Sequence, residues 1–139
     1  MTAKEYLSQA RYLDMRIQSK IQQVDSLNDL ATSCTSVLTG MPHNLNKATS
    51  KMADAVCKIV DLQEEINRDI DTLVDLKRDI STTIKGVPNA ELQTILEKRY
   101  LCFQTWEKIA VDMGYSMHHL YKLHNQALLI CEENLKRDT

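Results

Sequence analysis

The first forty residues carry an apolar pattern typical of a helix in a coiled coil. No Gly or Pro interrupts the chain between Lys4 and Thr39. Apolar residues recur at steps of three and four, with Lys20 as the one polar member of the series: Ala10, Leu13, Ile17, Val24, Leu27, Ala31, Cys34 and Leu38. Because this spacing places the residues on one helix face, it predicts a long helix with an apolar seam, along which the aliphatic stem of Lys20 can lie.

A second apolar stripe predicts a second long helix. Its members lie seven residues apart, at Met52, Ile59, Ile66, Leu73, Ile80 and Val87, and Ala55, Leu62 and Leu76 supply the partner positions. The segment Thr39–Asn46 contains Gly40 and Pro42, which predict a loop, and Gly86 and Pro88 predict the end of the helix near Lys85. Since so short a loop makes its two helices antiparallel neighbours, the pattern predicts a helical hairpin.

The apolar faces of this hairpin are wider than the seam between two helices requires. The additional apolar positions are Leu7, Ile21, Leu30, Val56, Ile70 and Ile84. We therefore expect the hairpin to pack against something more, either a second copy or the C-terminal segment, and a face kept for another protein is the alternative. Because symmetric homodimers are the commonest oligomers, we expect a homodimer or a higher homo-oligomer.

Three shorter helices are predicted after Pro88, each preceded by a residue that can cap it. They are Ala90–Leu101 after Asn89, Trp106–Met113 after Thr105, and Met117–Cys131 after Ser116. Gly114 can take the positive-φ conformation of a sharp turn, and Ala110 is small enough for two helices to cross closely. This combination predicts a helix-turn-helix. The expected fold is all-α, with a helical hairpin in residues 1–88 and a small three-helix domain in residues 89–139.

Composition agrees with this fold class and narrows the classes of function. The 139 residues include 3 Gly and 2 Pro, too few for the many turns of an all-β fold, and 5% are aromatic. No apolar run is long enough for a membrane helix, and the first residues lack the apolar core of a signal peptide. We therefore expect a cytoplasmic protein that has no membrane partner.

The sequence offers little support for an enzyme or a metal site. The second helix is rich in carboxylates, but mixed charges at helical spacing and the absence of His there indicate solvated ion pairs. The four cysteines, at 34, 57, 102 and 131, form no Cys-x-x-Cys pair, so we expect them to be small buried hydrophobes in a reducing compartment. No Gly-rich phosphate loop or nucleophile elbow occurs. We expect no enzymatic activity, no cofactor and no metal.

The last fifty residues resemble region 4 of bacterial sigma-70-type factors. The similarity covers roughly residues 90–131, and it is carried by Leu96-Glu-Lys-Arg-Tyr-Leu101, Thr105-Trp-Glu-Lys-Ile-Ala110, Met113-Gly-Tyr-Ser116, Leu120 and Ala127-Leu128. With a long hairpin before it, the chain resembles the ArpU/RinA-like late-gene transcription regulators of Gram-positive phages and prophages. The resemblance implies a regulator of phage or prophage genes in a bacterial cell, which binds double-stranded DNA and contacts host RNA polymerase.

The third short helix is the expected recognition helix, with its N-terminal exposed side chains in the major groove. The candidate DNA-binding residues are Thr105, Ser116, Met117, His118, His119, Tyr121, Lys122, Asn125 and Gln126. Asn and Gln can bind adenine through two hydrogen bonds, Lys can donate to guanine or phosphate, and Ser and Thr can contact phosphate.

The charge of this segment leaves two functions open. Residues 90–139 contain six Lys+Arg against seven Asp+Glu, a net charge of -1, whereas DNA-binding domains usually carry a basic excess. His118, His119 and His124 can add positive charge beside a phosphate backbone. Either DNA binding needs a dimer or the polymerase, or the protein is a non-enzymatic scaffold whose sigma-like domain binds a protein partner.

Overall fold

The computed structural model describes residues 1–40 and 45–138, with side chains described outside residues 34–49. The helices are α1 (Ala3–Gly40), α2 (Leu45–Lys85), α3 (Ala90–Leu96), a π-helical segment (Glu97–Leu101), α4 (Trp106–Met113) and α5 (Met117–Arg137). The described ranges contain no strand, so the all-α fold is confirmed. Two compact units are formed, one by Met1–Leu13 with Leu73–Thr139 and the other by Asp14–Thr72.

The unit Asp14–Thr72 is held by the seam that the two apolar stripes predict. Ile17 and Val24 of α1 are buried, as are Ala55 and Ile66 of α2. The polar member of the α1 stripe, Lys20, is satisfied within the same unit, because its Nζ lies 2.6 Å from Asp69 Oδ2 and 3.6 Å from Glu65 Oε2. A charged side chain is therefore tolerated in the seam.

The additional apolar positions of the hairpin have two different environments. Leu7 and Ile84 are fully buried, because the C-terminal helices cover them within their own compact unit. Four others remain exposed in the single chain: Ile21 at 37%, Leu30 at 59%, Val56 at 45% and Ile70 at 42%. The expectation that the C-terminal segment packs on the hairpin thus holds for part of this surface only.

The other unit has a core to which distant parts of the chain contribute. Its buried cluster consists of Ala3, Leu7, Ala10, Ile80, Ile84, Val87, Leu92, Leu96, Tyr100, Ala127 and Cys131. Two side-chain hydrogen bonds join the same segments, one from Thr83 Oγ1 to Tyr6 Oη (3.4 Å) and one from Asn134 Nδ2 to the Gly86 carbonyl (3.2 Å). The first turns of α1 therefore belong to the same packed body as α5. The boundary at residue 88 stays a prediction.

Two helix boundaries differ from the prediction. The helix expected to reach Leu101 becomes π-helical at Glu97, where the backbone N–H of Cys102 donates to the Glu97 carbonyl five residues back. The chain then turns at Phe103, which has a φ of 57°. Helix α5 does not end at Cys131 but continues to Arg137, because Leu135 packs against the buried cluster and Asn134 bonds to Gly86.

The cysteine prediction is correct at one of the three cysteines whose side chains are described. Cys131 is buried, and burial raises the pKa of its thiol to about 11. Cys57 and Cys102 are exposed, which corrects the prediction, because each lies outside the buried stripe of its segment. The side chain of Cys34 and residues 41–44 of the predicted loop lie outside the described residues. The other four residues of the loop are helical, because α1 extends to Gly40 and α2 begins at Leu45.

No helix in residues 1–40 and 45–138 is long and apolar enough to cross a membrane.

Candidate nucleic-acid interface

Capping residues define the start of all three C-terminal helices. Asn89 Oδ1 accepts hydrogen bonds from the N–H groups of Glu91 and Leu92. Thr105 Oγ1 accepts from the Lys108 N–H at 3.2 Å. Ser116 Oγ accepts from the His119 N–H, also at 3.2 Å, so each predicted cap is present and pairs a backbone N–H that the helix cannot satisfy itself.

The turn between α4 and α5 has the geometry that its glycine predicts. Gly114 ends α4 in the left-handed region, with a φ of 72°. The following Tyr115 N–H donates to the Ala110 carbonyl at 2.9 Å, which closes the last turn of α4. The Tyr115 hydroxyl donates to a carboxylate oxygen of Glu91, so the turn is also tied to α3.

A small core fixes the crossing of α4 and α5. Its buried members are Ile95, Ile109, Ala110 and Leu120, and Trp106, Met113, Tyr115, Met117 and Leu123 pack around them. The apolar spacing in the sequence predicts a core of Ile109, Met113, Tyr115, Leu120 and Leu123, and all five are in it. The structure adds Ile95 of α3 and Trp106. Because α5 buries Leu120 against α3 and α4, its opposite side is left to solvent.

The candidate DNA-binding residues lie on or beside that free side of α5. His118, His119, Tyr121, Lys122, Asn125 and Gln126 are exposed, as are the capping residues Thr105 and Ser116. Met117 is the exception and corrects the expectation of an outward side chain, because it is half buried against the Leu120 core. The structure thus brings eight of the nine candidates to the surface within one helix-turn-helix.

His124 does not have the role that the sequence analysis gives it. The side chain is 5% exposed, and its Nε2 shares a 2.7 Å hydrogen bond with the Tyr100 hydroxyl. Burial, with smaller contributions from the charges of Lys4 and Arg99, lowers the pKa of His124 to about 4. The residue is therefore neutral near neutral pH, and it cannot add positive charge beside a phosphate.

An aromatic cluster around Trp106 packs against α5. The Trp106 ring contacts His124 at 4.5 Å and Tyr121 at 5.5 Å between centroids, in both cases edge to face. The guanidinium of Arg99 lies 4.6 Å from the centre of the same ring. The sequence did not predict that Arg99 lies next to this cluster, because the π-helical segment that positions it has no recognisable signal in the sequence.

Among the described residues, no group of three or more His, Cys, Asp or Glu side chains could hold a metal ion.

The comparisons with known proteins identify a family. A family model described as a protein of unknown function, DUF1492, matches residues 44–132, which run from just before α2 to the later turns of α5. Neither the curated proteins nor the solved structures contain a match to the chain. Since the family model covers well over half of the sequence, the chain belongs to the DUF1492 family.

Proposed function

We propose that the protein is a sequence-specific DNA-binding transcription regulator that reads DNA through α5. The observation that carries the proposal is a capped helix-turn-helix with polar side chains exposed on the free side of its second helix. Asn125 and Gln126 can each form two hydrogen bonds to adenine, and Lys122 can donate to guanine or phosphate. Their positions in the first three turns of α5 suit entry into the major groove.

The two capping hydroxyls add a way to fix the protein on the DNA backbone. Thr105 and Ser116 each accept one hydrogen bond from a backbone N–H, which leaves the hydroxyl proton free to donate. Both residues are exposed at a helix N-terminus, where the helix dipole favours an anion. They therefore suit phosphate contacts, which set the orientation of a DNA-binding protein but not its sequence preference.

The resemblance to sigma-70 region 4 and to phage late-gene regulators extends the proposal to biological context. It supports regulation of phage or prophage genes in the bacterial cytoplasm, with host RNA polymerase as a second partner. The described residues include nothing that resembles the part of a sigma factor that reads the -10 element. The proposed role is therefore that of an accessory regulator.

DNA affinities of variants, measured by fluorescence anisotropy, can distinguish residues that contact bases from residues that contact phosphates. Asn125→Ala or Gln126→Ala should reduce the discrimination between the preferred duplex, selected from the DNA around the protein's own gene, and a random duplex by about 1–3 kcal/mol. Lys122→Ala should weaken binding to both duplexes alike and reduce the salt slope by about one.

Gln18→Ala is the matched control, because Gln18 is an exposed amide on α1 in the other compact unit and should leave both duplexes bound as by the wild type. A wild-type protein without measurable DNA affinity at low salt would contradict the proposal. The exposed apolar Val111 on α4 (80%) and Leu129 on α5 (66%) would then favour the alternative, in which this domain binds a protein partner.

We also propose that the protein is a homodimer through the hairpin. Val56, Val60 and Ile70 are each more than 40% exposed on α2, and their spacing continues a pattern of fours and threes through Gln63 and Asn67. This is a second heptad series beside the one that faces α1, as expected when a helix contacts two neighbours in a bundle. A second copy suits the proposed function, because helix-turn-helix proteins commonly bind paired half-sites as dimers.

Light scattering at micromolar concentration should therefore give about twice the monomer mass of 15.9 kDa. Val56→Asp with Ile70→Asp should reduce the mass to that of the monomer while leaving the helix content unchanged, because both positions are exposed in the single chain. Asp replacements at Gln18 and Gln22, which are exposed on α1 and lie outside this series, serve as the control for two added charges. A wild-type protein that is monomeric at this concentration would overturn the dimer proposal.

A further inference from the structure

The compact unit that contains the helix-turn-helix also contains basic residues from the start of α1. Ala3, Leu7 and Ala10 are buried in the same cluster as residues of α3 and α5. Lys4 and Arg11 each follow one of these buried alanines, so they flank the buried stripe on the same side of α1. Packing thus holds the turns of α1 that carry both cations in the same cluster as the C-terminal helices.

Arg99 lies in the π-helical segment next to Tyr100, which is buried in the same cluster as Ala3, Leu7 and Ala10. Its Nη1 donates to the Gln104 carbonyl at 2.9 Å, and its guanidinium covers one side of the Trp106 ring. The same ring contacts Tyr121, which is exposed on α5. A continuous series of contacts therefore joins Arg99 to the candidate DNA-reading surface.

The charges of these residues influence one another. Burial lowers the pKa of Arg99, and the positive charge of Arg11 lowers it further, while Glu107 and two tyrosines act in the opposite direction. The charge of Lys4 acts in the same way on the neighbouring His124. Within the described part of the chain, neither Arg11 nor Arg99 has a carboxylate oxygen within 4.0 Å. Neither guanidinium group therefore has a close counter-ion.

The first turns of α1 and the end of α2 also change the charge balance of the unit. Residues 90–139 alone carry six Lys+Arg against seven Asp+Glu. The whole unit, Met1–Leu13 with Leu73–Thr139, carries eleven Lys+Arg against ten Asp+Glu, whereas Asp14–Thr72 carries six against nine. The positive charge missing from the helix-turn-helix is therefore partly supplied by segments far from it in sequence.

We propose that Arg11 and Arg99, with Lys4, form a phosphate-binding surface that extends the DNA interface from α5 onto α1. The inference rests on the proposed DNA-binding function. A polyanion is the expected ligand, because Lys4 and Arg11 are about 10 Å apart along α1, a span that suits neighbouring phosphates of one DNA strand better than a single small anion. Arginine suits this role because its planar guanidinium can donate two hydrogen bonds to one phosphate.

The test measures binding of a labelled DNA duplex at several salt concentrations. Arg11→Gln should weaken binding to preferred and random duplexes equally, by about threefold to tenfold, and should reduce the salt slope by about one. Arg11→Glu should weaken binding further, because it places a like charge beside the phosphates. Arg16→Gln is the matched control, since Arg16 is an exposed α1 arginine of the other compact unit and should leave affinity and slope unchanged.

Arg99 is tested by two variants, because its packing on Trp106 also contributes to the fold. Arg99→Lys keeps the charge and should retain most of the salt slope, whereas Arg99→Gln should lose about one unit of it. Thermal melts of both variants identify any loss of affinity that is due to unfolding.

The outcomes separate this inference from the proposed function. If Arg11→Gln and Arg11→Glu both bind DNA with the affinity and the salt slope of the wild type, the inference is overturned and the proposed function of α5 is unaffected. If the wild type binds no DNA, the proposed function fails first and the inference fails with it. If Arg16→Gln reduces the affinity and the salt slope as much as Arg11→Gln does, the inference is also overturned, because the loss would then follow from net charge and not from a contact of Arg11.

Discussion

Protonation of His124 should by itself lower the free energy of unfolding by up to about 3 kcal/mol as the pH falls from about 6.5 to about 4. The pKa of His124 is lowered to about 4 in the folded chain from its ordinary value of 6.5. In this window the unfolded chain binds more protons than the folded one, so the free energy of unfolding falls as the pH falls. Urea unfolding followed by circular dichroism, repeated at intervals of about one pH unit, measures the slope, which should approach 1.4 kcal/mol per unit.

A glutamine replacement isolates this histidine. His124→Gln replaces the imidazole by an amide, which can bond the Tyr100 hydroxyl but cannot take up a proton, so most of the slope should disappear. His118→Gln is the control, because His118 is exposed and its replacement should keep the slope of the wild type. A variant without His124 that still shows the full slope would assign the acid sensitivity to other groups.

Ala110→Leu should destabilise the C-terminal unit by about 1–3 kcal/mol or more, because Ala110 is 6% exposed where α4 packs against α5. The added side chain must displace Ile109 or Leu120, both of which are fully buried. Thermal melting measures the loss of stability, and DNA affinity should fall together with it. Lys122→Ala should leave the melting temperature almost unchanged, since Lys122 is exposed. Unchanged melting of Ala110→Leu would show that α4 and α5 do not cross at this residue.

Local signals in the sequence were enough to predict the helix-turn-helix. Caps and turns depend on a few neighbouring residues, so Thr105, Gly114 and Ser116 place the limits of α4 and the start of α5 where the structure has them. The heptad spacing likewise predicts the seam between α1 and α2, including the position of Lys20 in it. The ion pair of Lys20 with Asp69 could not be predicted, because the spacing indicates only that the aliphatic stem can lie along the seam. These features are set by contacts close in sequence or by a strict period.

Features that depend on distant contacts could not be predicted in the same way. His124 lies at helical spacing from the buried Leu120 and Ala127, so periodicity could have indicated its burial, but its contacts with Tyr100 and Trp106 form only after the π-helical segment and α4 are in place. The contribution of Arg11 to the C-terminal unit depends on the packing of Ala3, Leu7 and Ala10 against helices that follow far along the chain. Neither periodicity nor composition carries information of that kind.

The family model leaves out the part of α1 that contributes to this core. Its match begins at residue 44, after α1, although α1 supplies three residues of the core that α5 completes. A fragment trimmed to residues 44–132 would lack Ala3, Leu7 and Ala10 and would expose the apolar surface that they cover. Biochemical work on the proposed DNA interface therefore requires the full chain.

The mixed origin of this core also has a consequence for synthesis on the ribosome. The apolar side of Ala3, Leu7 and Ala10 emerges first, but its partners in α3 and α5 are translated only after Leu73. Until then this stripe has no native cover within its own unit and is available to chaperones or to other nascent chains. The unit can complete its folding only after α5 has left the exit tunnel.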